Sequence, residues 1–247
     1  MAKKLLVIAN WKMYVQSQEA AKAYVAGLKR KLKTIGGVEV WLAPSFSILP
    51  LLKGIKVGAQ AVSAHADGAH TGEVSSAMLK AAGASFVIIG HSERRAVSDT
   101  NEAVHEQLVR AAEAGLVPVL CVGEQERTQD GSHWNFIEEQ LASALRGAQS
   151  LAGKLVVAYE PVWAIGKSAQ DAMQAEELQE TVIFIRKTLA ELLGRTDALK
   201  VRILYGGSVE GDNAQKLLVE GGVGGFLVGH ASATLDDFVA ILKQCKK

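Results

Sequence analysis

Apolar residues fall in short, nearly unbroken runs that recur along the chain, at 5–9, 38–43, 56–62, 86–89, 117–122, 155–159, 202–204 and 224–228. Each is strand-sized, and most are rich in Val, Ile and Leu, as strands buried on both faces are. Between most of them lie longer stretches with apolar residues three and four apart, at 19–32, 102–114, 134–145, 175–193 and 235–242. That spacing predicts amphipathic helices. Cap residues mark several starts: Thr100 before Glu102 and Ala103, Ser75 and Ser76 before Ala77, Asp212 and Asn213 before Ala214. Eight strands alternating with helices predict an α/β chain, a (β/α)8 barrel of eight parallel strands inside a ring of helices, as one domain over 1–247. An open doubly wound sheet would need a glycine-rich turn after its first strand. Here that turn reads Asn10, Trp11, Lys12, Met13, with no glycine.

Composition narrows the partners. The 247 residues carry a net charge of +1, which argues against nucleic acid as the main partner. The basic cluster at 29–33 closes a helix, where cations complement the helix dipole. No apolar run is long enough to span a membrane. The basic N-terminus is followed by too short an apolar run for a signal-peptide core. Cys121 and Cys245 form neither a disulfide framework nor a metal spacing, which fits a reduced cytoplasmic compartment.

In a (β/α)8 barrel the chemistry sits where strands end and the following loops begin. The polar residues at those ends are Asn10, Lys12, Gln60, His91, Glu124, Glu160, Ser208 and the pair Gly229 and His230. Asn10 and Lys12 flank Trp11, so in extended chain both point the same way. A carboxylate, an imidazole, an ammonium and an amide thus share one rim. No metal-ligand cluster is expected there, because His65 and His70 share one loop away from the strand ends.

Seven segments carry a more specific signal: "ANWKM" (9–13), "GAHTGEVS" (68–75), "GHSERR" (90–95), "PVLCVGE" (118–124), "AYEPVWAIG" (158–166), "YGGSV" (205–209) and "GFLVGHAS" (225–232). Together, in this order, the chain resembles the triosephosphate isomerase family. The resemblance implies a cofactor-free isomerase of glycolysis and gluconeogenesis on a TIM barrel. It would interconvert glyceraldehyde 3-phosphate and dihydroxyacetone phosphate through an enediolate. Glu160 then resembles the base, His91 the electrophile, and Lys12 and Asn10 the groups that stabilise the enediolate and the phosphate. Backbone N–H groups of Gly166, Ser208, Gly229 and His230 would hold the phosphate. Ile165 and Leu227 would press on the base under a closing lid, with Tyr205 beside that lid. Glu93 resembles a buried carboxylate near the lysine. The loop at 63–75 would make a homodimer, with Thr71 reaching the neighbour and Glu73 pairing with an arginine like Arg94.

Four places depart from the family pattern. The lid tip reads Lys167, Ser168, Ala169 in place of Thr-Gly-Lys, with the Ser168 amide expected near Tyr205 and Ser208. His230 stands where a glycine is usual and would bring a bulky side chain into a crowded turn. His70 replaces an aromatic, and Ala61 replaces an asparagine.

Overall fold

The computed structural model describes residues 4–147, 151, 153–166 and 173–245. In chain order the elements are β1 (Leu5–Asn10), α1 (Gln18–Leu32), β2 (Val38–Ala43), β3 (Lys56–Ala59), α2 (Ser76–Ala81), β4 (Phe86–Ile89), α3 (Ser92–Arg95), α4 (Asn101–Glu113), β5 (Val117–Val122), α5 (Ser132–Ala144), β6 (Val156–Tyr159), α6 (Ala175–Leu193), α7 (Arg195–Ala198), β7 (Arg202–Tyr205), α8 (Ala214–Val219), β8 (Gly225–Val228) and α9 (Leu235–Gln244). The eight strands pair in sequence order as a closed, all-parallel barrel, β8 returning to β1 with Leu6 opposite Gly225.

Continuous apolar runs suit this architecture because each strand feeds two cores. Leu6 and Ile8 of β1 point into the barrel with Trp41, Phe86, Ile88, Cys121 and Leu204. Leu5, Val7 and Ala9, one residue out of phase, face the outer layer between barrel and helices, with Leu28, Leu108, Leu141, Ile185 and Ile241. The expected third strand is overlong. Its run continues to Val62, but the strand ends at Ala59 and Val62 is buried in the loop instead.

Helix caps follow the sequence where the side chain meets its own turn. Ser17, Ser75, Thr100 and Thr234 each accept the N–H three residues on, from Ala20, Met78, Ala103 and Asp237. Asn213 differs: its Oδ1 accepts the N–H of Glu210, so it braces the preceding turn. At the strand starts, Glu39 accepts from Arg202 and from the Trp41 indole, each at 2.8 Å, and Lys56 sits over the Trp41 ring. These charges close the barrel floor. No helix among the described residues is long and apolar enough to cross a membrane.

Candidate active site

The opposite rim gathers polar groups from several strand ends around one hollow of about 360 Å³. Glu160 directly follows β6, and its side chain is only 3% exposed. Two glycines make room for it. A Cβ on Gly206 would stand 2.9 Å from Glu160 Cγ, and one on Gly123 would stand 1.9 Å from the Glu160 carbonyl oxygen. Either would displace the carboxylate or its backbone. Glu160 Oε2 accepts the N–H of Ser92 at 3.0 Å, while Oε1 lies 3.2 Å from Nε2 of His91.

His91 directly precedes α3, and its Nδ1 accepts the N–H of Glu93 at 3.2 Å. A ring nitrogen that accepts a hydrogen bond carries no proton, so the ring's hydrogen sits on Nε2, facing Glu160. The imidazole is thereby held in the tautomer that can donate into the hollow.

Lys12 has a left-handed backbone, φ 44°, unusual for a side-chain-bearing residue. Two bonds hold it: its N–H donates to Asn10 Oδ1 at 3.2 Å, and its carbonyl accepts from Gln60 Nε2 at 2.9 Å. The ammonium meets Glu93 Oε1 at 2.6 Å. Burial alone would raise the Glu93 carboxyl, but the hydrogen bond and the charge of Lys12 outweigh it. Its pKa lies below the usual carboxylate range. Ser208 and the turn Gly229–His230 also line the hollow, with Ile165, Gly166 and Leu227. Among the described residues, the N–H groups of Ser208 and His230 donate to no protein acceptor. The hollow therefore offers an anion an ammonium and free backbone donors, on the same wall as a carboxylate–imidazole pair.

The sequence model described as triosephosphate isomerase matches residues 5–245. The triosephosphate isomerase of Thermus thermophilus is 42% identical over 250 aligned residues, covering 98% of each chain. That of Idiomarina loihiensis is 40% identical over 250, and that of Carboxydothermus hydrogenoformans 41% over 250, again covering 98% of each chain. The chain belongs to the triosephosphate isomerase family.

Against the pattern expected of a triosephosphate isomerase, two residues are placed differently. Glu93 is not buried in the single chain: its side chain is 61% exposed, since short α3 stands at the surface. His230 avoids crowding because its ring is exposed and packs edge-on against Tyr14, with ring centroids 5.3 Å apart, both residues lining the hollow. Within one chain Arg94 pairs with Asp99 at 3.3 Å, while Glu73 accepts from the Ser63 hydroxyl. The lid tip, Lys167, Ser168 and Ala169, lies outside the described residues.

The lid's first turn is anchored by a residue to which the rim pattern alone gives no role. Glu124 is buried, and its Oε1 accepts from both Tyr159 OH and Trp163 Nε1, each at 2.8 Å. The same turn is tied at Ala164 by Ser208 Oγ, which donates to its carbonyl at 3.0 Å. Burial pushes both Tyr159 and Tyr205 above the ordinary phenol range, so both hydroxyls stay protonated. Gln140, which the rim pattern does not contain, is buried on the apolar stripe of α5, and its amide bonds both the N–H and the carbonyl of Gly123. Its one signal in the sequence is a polar residue between Ile137 and Leu141 on that stripe.

Proposed function

We infer that the chain interconverts glyceraldehyde 3-phosphate and dihydroxyacetone phosphate, as its family does, without a cofactor. Glu160 takes a proton from the carbon beside the substrate carbonyl. The Nε2–H of His91 is donated to the carbonyl oxygen, giving an enediol or enediolate. His91 then recovers a proton from the neighbouring oxygen, and Glu160 returns its proton to the other carbon, so no net charge or atom is lost. Lys12, oriented by Asn10 and paired with Glu93, stabilises the oxyanion and the phosphate. The N–H groups of Gly166, Ser208, Gly229 and His230 hold the phosphate. Ile165 and Leu227, on the hollow's wall, exclude water as the lid closes past Tyr205.

The observation that carries this reading is the 3.2 Å approach of Glu160 to His91 on a hollow that Lys12 and the free N–H groups also line. The decisive experiment assays the purified chain with glyceraldehyde 3-phosphate in deuterium oxide. Expected are turnover to dihydroxyacetone phosphate and deuterium on carbon in the product, since a proton on Glu160 exchanges with solvent. A folded chain without turnover refutes the activity. Turnover without any deuterium refutes the proton-transfer route.

The same reading makes the chain, 1–247, a single-domain homodimer in the cytoplasm, joined through the loop at 63–75. Exposed apolar side chains near the rim support the dimer, Met13 at 81% and Val97 at 79%, as do exposed Thr71 and Glu73 and the outward Arg94. Two free thiols accord with the cytoplasm. Sedimentation at dilute concentration checks the assembly: a monomer that retains full activity would remove the dimer from the scheme.

A further inference from the structure

The proposed reaction closes a lid whose first turn is held by Glu124, and what holds Glu124 lies off the rim. Its carboxylate is 2% exposed and takes both of its neutral donors, Tyr159 OH and Trp163 Nε1, at Oε1. Oε2 is buried and, among the described residues, accepts no hydrogen bond. A buried charge is costly unless a cation offsets it. Arg127, in the loop between β5 and α5, supplies one, with Nη1 3.5 Å from Glu124 Oε1. The guanidinium is in turn fixed by two helices. Nη1 donates to Thr181 Oγ1 of α6 at 3.2 Å, and Cζ lies over the Trp134 ring of α5, 4.6 Å from its centroid. Trp134 packs on Phe184 of α6, with centroids 4.7 Å apart. A flat guanidinium suits a position stacked on an aromatic face. In chain order the first turn of the lid is 162–164 and α6 starts at Ala175. Arg127 therefore ties the start of the lid, through Glu124, to the helix that receives its other end.

We propose that Arg127 is a positioning residue for the isomerase reaction, holding the Glu124 carboxylate against the Trp163 indole so that the lid closes from a fixed hinge. A carboxylate is a stronger acceptor than a neutral group. The hinge bond therefore depends on a cation that lets the carboxylate's charge stay buried. Arg127 touches no substrate, and its effect on rate runs through Glu124 and Trp163. That effect rests on the proposed isomerase activity; the link from Arg127 to the indole does not.

Indole N–H NMR of the full chain tests the link without reference to activity. Trp163 and Trp41 each donate to a carboxylate at 2.8 Å, Glu124 at the lid and Glu39 at the barrel floor. Arg127→Met should move the Trp163 indole proton upfield, as a weakened hydrogen bond does, and leave Trp41 in place. Arg127→Lys keeps the charge without the flat fork and should fall between the two; it carries the comparison if the methionine variant does not fold. In the isomerase assay Arg127→Met should lower kcat by about 10-fold or more, the equivalent of one charge-assisted hydrogen bond. KM should change with it, as it does when a hinge is altered. In a Trp163→Phe background the same substitution should cost less, because the bond it supports is already gone. An unmoved Trp163 indole overturns the proposal. So does a variant that loses melting temperature alone with kcat and KM intact, or a rate loss fully additive with Trp163→Phe. A parent chain without turnover refutes the isomerase reading instead, and the indole shifts still decide whether Arg127 holds the hinge.

Discussion

Replacing Gln140 with methionine keeps the side chain's length and removes its amide. In the folded chain that amide accepts the Gly123 N–H at 2.8 Å and donates to the Gly123 carbonyl at 3.2 Å, at a residue only 4% exposed. The substitution leaves a backbone donor and a backbone acceptor buried together. Each unsatisfied group costs about 1–3 kcal/mol, so the pair costs about 2–6 kcal/mol. That is a large part of the roughly 5–15 kcal/mol that holds a typical domain together. For a chain of this size it corresponds to a fall in Tm of roughly 5–20 °C. The effect should also reach the chemistry. Gly123 is packed so tightly under the Glu160 carbonyl that no side chain fits between them. A shift of Gly123 therefore moves Glu160, and a 1 Å misplacement costs about 100-fold in rate. Urea unfolding followed by circular dichroism gives the first number, and the isomerase assay gives the second. The expected pattern is reduced kcat with KM little changed, because Gln140 touches no substrate-binding group. A methionine variant within about 2 °C of the parent and with unchanged kcat would refute the reasoning and make Gln140 a space-filling residue.

Glu160→Asp should fold normally and lose about 100-fold or more in kcat, since one methylene withdraws the carboxylate from its proton; near-parental turnover would remove Glu160 from the mechanism. Lys12→Met should lower kcat and weaken inhibition by inorganic phosphate together, because one ammonium serves both; a change in stability alone would make Lys12 structural. Glu93 has a native pKa below its unfolded value, so its contribution to stability is complete above the ordinary carboxylate range and is lost as pH falls through the native value. Carboxyl carbon NMR should find that lowered midpoint and see it rise in the Lys12→Met variant; a Glu93 midpoint at or above the ordinary value in the parent would overturn the pairing.

Much of the barrel was legible because its strands are buried on both faces, which writes them as unbroken apolar runs such as 86–89 and 117–122. Run length alone misplaced the end of β3, since Val62 is buried by the loop and hydropathy does not separate the two kinds of burial. At the site, Lys12, His91 and Glu160 stood out as polar residues at strand ends. What holds them did not. The Ser92 N–H that anchors Glu160 is a backbone donor and has no letter of its own. Gln140 is hidden in helical periodicity, and Arg127 reads as a solvated loop charge. Sequence gives no direction to a side chain: the His230 ring, expected to crowd its turn, packs instead edge-on against Tyr14.

The left-handed backbone at Lys12 sets stability and activity in opposition. A side chain held at φ 44° carries a strain of about 1–2 kcal/mol that glycine would not. Lys12→Gly should therefore cost the fold little, and can raise its melting temperature, while taking away the ammonium. A directed-evolution campaign scored on heat resistance would meet that substitution as neutral or beneficial and drift away from the enzyme. Only a selection that also demands turnover keeps the lysine in its strained place.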